Sequence, residues 1–270
     1  MDMKKIFAFP LIAVLLLLAA CGSQPDNTLP PSPSPSPEAT LPPEPEVQSG
    51  LSVEIKNESS RRTVDGVQIV SSSFDYPVIT VTGKDTPAAE DLKAWADNFY
   101  LDSLERSNDL INEAETFYSD VPQYFTESFY YLQTLEPVYE SEKMTVLYCY
   151  SEYSMGGTHP QHNQSAVNLN MELGVPLTLA DIGDAEAIVA AASENILTQI
   201  NEQGLSDQLF ENYADFVSEG IVDGSWYLTE DGFSVIYTEY YLAPYAYGTF
   251  NFTVPFSALD GCIKPEYALN

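Results

Sequence analysis

A proline-rich segment divides this 270-residue chain into a short N-terminal part and a long C-terminal part. Gly22–Ser49 contains nine of the nineteen prolines, and Ser32–Pro37 alternates serine with proline. Proline has no backbone N–H, so such a stretch forms neither a helix nor a sheet ladder and favours extended polyproline II. At ~3.1 Å per residue it can span roughly 85 Å. We therefore expect a tether over residues 21–50 and a packed core within residues 51–270.

Residues 1–20 have the sequence of a secretion signal. Lys4 and Lys5 precede an apolar run, Ile6–Ala20, which is too short and wrongly flanked for a comfortable transmembrane helix. Cys21 directly follows Leu18–Ala20, which is the pattern of a bacterial lipobox. We expect Cys21 to receive lipid, such as palmitate, and to anchor a lipoprotein at the outer face of the bacterial cell membrane. An ordinary signal peptide followed by a chance cysteine is the alternative.

The charge of the chain is strongly negative. Asp and Glu total 40 against 10 Lys and Arg, which gives a formal net charge of −30 at pH 7. This charge makes nucleic acid a poor partner, because phosphates would be repelled. Cationic proteins would instead be attracted and steered. For most of the scattered carboxylates, the alternative to a binding role is that they keep the protein soluble.

The first half of the long part predicts strands, one helix and a hairpin. Gly66–Phe74 and Val78–Thr82 are rich in β-branched residues and predict two strands around a turn at Asp75–Pro77. Thr86 and Pro87 then predict the start of a helix that extends to about residue 118, with a break near residue 107 as an option. Residues 130–140 and 143–153 predict a hairpin, whose second strand is apolar on both faces, as in a central strand.

The second half predicts shorter elements. Ser165–Met171 reads as a strand, Ala185–Asn201 as a helix, and Ser206 as the cap of another helix. Strands are predicted at Trp226–Leu228, Phe233–Tyr237 and Thr249–Val254. Strands and helices are grouped rather than alternating, which favours an α+β fold. We expect a largely antiparallel sheet with helices packed on it, in two closely packed lobes over residues 51–150 and 151–270.

Few residues have the chemistry of a cofactor or metal site, and the sequence predicts neither group. His159 and His162 are the only histidines and could share a metal, but Pro160 prevents helical spacing between them. We expect His159 to bond the loop backbone and His162 to be solvated. Cys149 and Cys262 could form one disulfide or remain two buried thiols, and the sequence favours neither.

Four stretches carry a resemblance to a known family: Tyr150–Pro160, Leu177–Asp181, Tyr227–Phe233 and Leu242–Gly248. The chain resembles the RsiV-like extracytoplasmic domain of lysozyme-sensing anti-sigma factors, which also accompanies some peptidoglycan deacetylases. The resemblance implies the fold more strongly than the function, since related folds can take different ligands. Thr158 replaces the alanine that is usual in this family.

Two loops contain the expected ligand-binding residues, which are Gly156, Gly157, His159 and Pro160 in one and Pro244, Tyr245 and Tyr247 in the other, together with Glu239. We expect both loops at the same end of one sheet. Tyrosine-rich loops often bind proteins or sugars. We expect a non-enzymatic protein that is lipid-anchored through Cys21, and the resemblance implies that it captures a cationic muramidase of the lysozyme type or peptidoglycan fragments. The alternative is an enzyme of wall-sugar metabolism in which Glu239 or His159 is catalytic.

Overall fold

The computed structural model describes residues 50–157 and 159–269. The expected lipid site at Cys21 lies outside them, as does the expected tether before Gly50. The fold is α+β, as predicted, and the described elements are β1 (Gly50–Val64), β2 (Val67–Thr82), α1 (Pro87–Asp120), β3 (Phe129–Glu140), β4 (Met144–Ser154), β5 (Gln161–Asn170), β6 (Val175–Pro176), α2 (Leu179–Ile182), α3 (Ala185–Glu202), α4 (Tyr213–Glu219), β7 (Trp226–Thr229), β8 (Gly232–Tyr237) and β9 (Phe250–Val254).

Strands β1 to β6 form one sheet in the order of the sequence. All neighbours are antiparallel except β2 and β3, which are parallel. A parallel pair needs a long crossover, and the 34-residue helix α1 supplies it. Because β2 reverses β1 and β4 reverses β3, strands β1 and β4 run in the same direction. Strand β4 lies in the interior of the sheet, between β3 and β5, which explains why both of its faces are apolar or aromatic.

Helix α1 is bounded as its sequence predicts. Thr86 Oγ1 accepts a hydrogen bond from Ala89 N at 3.2 Å, and Pro87 occupies the first helical position. The helix continues without a break past Ser107. Its buried face packs on β2 and β3 around Ile69, Phe74, Leu110 and Phe129.

Strand β2 corrects the predicted turn at Asp75–Pro77, because the chain runs straight through these residues. Proline lacks a backbone N–H, but Pro77 is tolerated because β3 pairs with β2 only as far as Phe74. At Pro77 the side of β2 that faces β3 therefore needs no backbone donor. Beyond Phe74 the side chain of Asp75 replaces part of the ladder. Asp75 Oδ2 accepts from Leu135 N at 3.1 Å, and Gln133 Nε2 donates to Asp75 O at 2.9 Å.

Strands β7, β8 and β9 form a second, antiparallel sheet. The predicted bounds of these strands are confirmed to within a residue, but the residues that the structure describes form two sheets where one was expected. The second sheet shares a core with β4, β5 and α3. Buried Asn168 on β5 joins the sheets: its Nδ2 donates to Trp226 O at 3.2 Å and its Oδ1 accepts from Leu228 N at 2.9 Å. The expected division at residue 150 falls inside β4.

Helix α3 confirms the prediction for Ala185–Asn201. The helix predicted after Ser206 is wrong in its extent. Ser206 begins only a 3-10 turn that ends at Gln208, and α4 starts at Tyr213. Phe210 N donates to Leu242 O at 2.9 Å, so this N–H bonds the loop after β8 and not a carbonyl of a helix.

Cys149 and Cys262 are free thiols, which resolves the choice between a disulfide and two thiols. Cys149 lies in β4, and burial raises the pKa of its thiol to about 11. None of the helices within residues 50–157 and 159–269 is long and apolar enough to cross a membrane.

Candidate functional site

The antiparallel pairing of β4 with β5 places Glu152 directly opposite His162. His162 was expected to be solvated in a loop, but β5 begins at Gln161, four residues before the predicted start, and includes it. Its side chain is 22% exposed, as is that of Glu152. The pairing therefore creates a half-buried pair of polar side chains beside the loop that joins the two strands.

Glu239 approaches the same histidine from the second sheet. It lies in the turn after β8, and its Oε1 is 2.7 Å from His162 Nδ1. Against an ionised carboxylate Nδ1 is the donor, because ionised oxygens only accept hydrogen bonds. The other ring nitrogen, Nε2, lies 3.9 Å from Glu152 Oε1. The imidazole of His162 is thus placed between two carboxylates, of which sequence reasoning had identified only Glu239.

Two tyrosines hold Glu152 in place. The hydroxyl of Tyr130 donates to Oε1 and that of Tyr150 donates to Oε2 at 3.0 Å. The hydrogen bond to Glu152 raises the pKa of Tyr130 to about 12, because deprotonation would remove the bond and bring two negative charges together. Burial, and then the bond to Glu152, raises the pKa of Tyr150 to about 12. Both hydroxyls therefore stay protonated donors at neutral pH.

The two loops, expected at the same end of one sheet, belong to different sheets: the first joins β4 to β5 and the second joins β8 to β9. They nevertheless come together through Tyr245. Its hydroxyl donates to Pro160 O at 3.3 Å. Its ring centroid lies 4.9 Å from that of His159 and 5.6 Å from that of Tyr240. We call the four side chains His159, Tyr240, Tyr245 and Tyr247 the aromatic rim. The rim lies at the end of the six-stranded sheet where β4 ends and β5 begins.

Exposure differs along the rim. Tyr240 is 65% exposed and Tyr247 is 48% exposed, whereas Tyr245 is half-buried between the two loops. Leu242 and Ala243 are buried and fix the start of the second loop, while Pro244 is exposed. Tyr245 is therefore neither a core residue nor a freely exposed one.

Backbone conformation supports this arrangement at two positions. Tyr240 has φ of 64°, a left-handed conformation that side chains with a Cβ rarely adopt and that is often found at functional sites. Gly156 has φ of 73°, which accounts for glycine there. A Cβ on Gly156 would meet Phe129 at an ordinary distance of 3.5 Å, so the turn and not crowding requires this glycine. Gly157 is exposed in the same loop.

Within residues 50–157 and 159–269, no three His, Cys, Asp or Glu side chains are arranged to hold a metal ion. In particular, the two ring nitrogens of His162 face different carboxylates, and His159 contacts the Tyr245 ring.

Comparison with known proteins finds a family match in the second half of the chain. Residues 180–257 match the model of the DUF3298 family, which is described as a protein of unknown function. This range includes Glu239 and the loop of Tyr245, while Glu152 and His162 precede it. No curated protein matches the sequence. Kinship with the RsiV-like domain stays a prediction.

Two solved structures resemble the fold. A DUF3298 family protein from Pseudomonas aeruginosa PAO1 aligns with a TM-score of 0.57 and 17% identity, over 82% of this chain and 97% of its own. A DUF3298 family member from Bacteroides fragilis NCTC 9343 aligns with a TM-score of 0.59 and 16% identity, over 80% of this chain and 94% of its own. At such identities the likeness concerns the fold alone.

Proposed function

We propose that this chain is a non-catalytic binding protein that captures a ligand of the bacterial cell envelope on its aromatic rim. The preferred ligand class is a lysozyme-type muramidase, and peptidoglycan fragments are the next. One observation carries the proposal: the contact between His162 and Glu239 holds two carboxylates directly beside a rim of half-exposed and exposed rings.

The chemistry of this surface suits a cation. Tyrosine faces attract ammonium and guanidinium groups, and the two carboxylates behind the rings make the local field negative. Tyrosine rings also bury a large area at a small cost in side-chain entropy. The net charge of −30 would steer a basic protein towards the site.

The contacts of the polar groups favour binding over catalysis. A general base needs a lone pair that can reach a proton of the substrate. Glu152 instead accepts two tyrosine hydroxyls, and Glu239 accepts the His162 donor. These three side chains are therefore engaged with one another, and the pattern is that of a rigid support for the rim.

The location proposed for this function is the outer face of the membrane. It follows from the lipobox at Cys21, which would supply a lipid anchor, and from the proline-rich stretch that separates Cys21 from β1. Radiolabelled palmitate incorporated into wild type and not into Cys21→Ser would test this part separately. Equal labelling of the two proteins would contradict it.

The ligand is tested by biolayer interferometry of the full chain with purified lysozyme. We expect rapid association at low salt that slows at physiological ionic strength. Tyr245→Ala should weaken binding at least about tenfold, because a rigid aromatic anchor is lost. Leu173→Ala, an exposed apolar residue at the opposite end of the sheet, is the matched control. Unchanged affinity of Tyr245→Ala, or hydrolysis of muropeptides by the wild type, would overturn the proposal.

A further inference from the structure

A second surface lies on the other flank of the loop that begins at Met155. It is an apolar groove of about 680 Å³ beside the last turns of α1. Phe117, Phe129 and Met155 form its apolar wall, and Glu113 and Asp120 lie at its polar border. The residues of the aromatic rim do not line this groove, so it requires a separate explanation.

The apolar wall is built from rings that are already packed together. The centroids of Phe117 and Phe129 are 5.7 Å apart, and Phe125 stacks on Phe129 at 5.8 Å. Despite this packing, Phe117 remains 37% exposed and Met155 remains 46% exposed. Adjacent exposed apolar side chains with a polar border are typical of an interaction site. Methionine suits such a surface because its side chain adapts to different partners.

The border of the groove carries uncompensated negative charge. The last turn of α1 has no basic residue, and Asp120 adds a carboxylate at the negative end of the helix dipole. Among the described residues, none of the ion pairs includes Glu113 or Asp120. Glu113 does accept a hydrogen bond from the Tyr153 hydroxyl at 3.1 Å, which fixes its position. A cation bound here would relieve the unfavourable charge at the helix end.

We propose that this groove binds a cationic amphipathic segment of a partner protein. An apolar side chain of the partner would enter between Phe117 and Met155, and flanking lysine or arginine side chains would reach Glu113 and Asp120. Charge complementarity decides between occupants. A second copy of this chain carries the same net charge of −30, and an anionic lipid surface would be repelled by the same carboxylates. The inference does not rest on the function proposed for the aromatic rim.

The test measures fluorescence anisotropy of a labelled, amidated lysine–leucine helical peptide with the full chain. We expect saturable binding that falls at least tenfold in Met155→Ser and in Asp120→Lys. The controls are Leu173→Ser and Glu172→Lys, which also replace an apolar residue with serine and an acidic residue with lysine, at exposed positions at the far end of the sheet. Glu172 forms only an exposed ion pair with Lys143, at 3.6 Å. A peptide with glutamate in place of lysine, and one with serine in place of leucine, should bind at least tenfold more weakly.

Several results would overturn the inference. An equal loss of peptide affinity in Asp120→Lys and Glu172→Lys would mean that net charge alone explains the binding. Absence of binding to the wild type, or equal binding of the serine peptide, would remove the apolar groove from the explanation. A wild-type dimer in sedimentation that Met155→Ser dissociates would make a second copy the occupant. Loss of peptide binding in Tyr245→Ala together with unchanged binding in Met155→Ser would place the peptide on the aromatic rim instead of in the groove. Thermal melting of each variant checks that it is folded.

Discussion

His162 and Glu239 are 77 residues apart in the chain, yet His162 Nδ1 lies 2.7 Å from Glu239 Oε1. His162 belongs to β5 of the six-stranded sheet, and Glu239 follows β8 of the three-stranded sheet. The contact therefore ties the two sheets together beside the aromatic rim. It also brings Glu239 to the histidine that faces Glu152.

A double-mutant cycle measures this contact. His162→Ala and Glu239→Ala should each destabilise the fold, and the double variant should lose less than their sum, with a coupling energy of about 1 kcal/mol. Denaturant unfolding of the four proteins gives this value. A cycle of Glu239→Ala with Glu172→Ala, whose side chain is at the far end of the sheet, should show no coupling. Additive effects in the first cycle would mean that the contact contributes nothing to stability.

Asn168 is the second link between the sheets, and it is buried. Asn168→Leu keeps the approximate volume but leaves Trp226 O and Leu228 N without their partner, so the free energy of unfolding should fall by about 3 kcal/mol. Asn163 lies on the same strand and is exposed. Asn163→Leu should change stability by less than about 0.5 kcal/mol. Equal midpoints in urea for the two variants would contradict the prediction.

The stability of the fold should depend on pH in the acid range because of Asp181. Its Oδ2 accepts from Thr178 N at 2.8 Å and from Thr178 Oγ1 at 2.7 Å, and these bonds lower the pKa of the carboxyl below its ordinary value of 3.8. Because the pKa is lowered in the folded state, the ionised carboxylate stabilises the fold at pH values above the ordinary pKa. This stabilisation is lost as the pH falls through the pKa of the folded state.

Asp181→Asn should therefore lower the free energy of unfolding by about 1 kcal/mol at neutral pH, as expected for a lost helix cap. The difference from the wild type should shrink below pH 3.8. Urea unfolding at several pH values measures it. A difference that stays constant in acid would exclude the capping explanation.

Cys149 should react slowly with thiol reagents. Because burial raises the pKa of its thiol to about 11, the reactive thiolate is rare at neutral pH and rises roughly tenfold per pH unit up to that value. The rate with dithionitrobenzoate in a Cys21→Ser, Cys262→Ser background measures Cys149 alone. The same protein in urea is the control, and it should react much faster. Equal rates in the folded and unfolded protein would show that Cys149 is accessible.

Local patterns account for the elements that the sequence predicted well. The cap at Thr86, the hairpin of β3 and β4, and the amphipathic helix α3 depend on neighbouring residues and are confirmed. Strand β1 was missed, since its second half, Ser59–Arg62, is polar and exposed at a sheet edge and has no apolar alternation. Pro77 suggested a turn because the sequence does not reveal that β3 leaves β2 before reaching it.

The candidate site depended on long-range pairing, which limits prediction from sequence. Loop residues such as Tyr245 were identified from composition and resemblance. The Glu152–His162 pair follows from strand register alone, and an error of four residues in the start of β5 concealed it. Glu239 joins them only when the second sheet packs against the first through Asn168. No local pattern in the chain specifies that packing.

The common direction of β1 and β4 has a consequence for orientation. Register relates Glu152 to Leu132, then to Ser73, and finally to Ser59 on β1. Nine residues separate Ser59 from Gly50, which at ~3.3 Å per residue places the site about 30 Å along the sheet from the point where the chain enters it. A label attached at Gly50 would therefore stand clear of the aromatic rim, and a large ligand bound at the rim would leave the start of β1 uncovered.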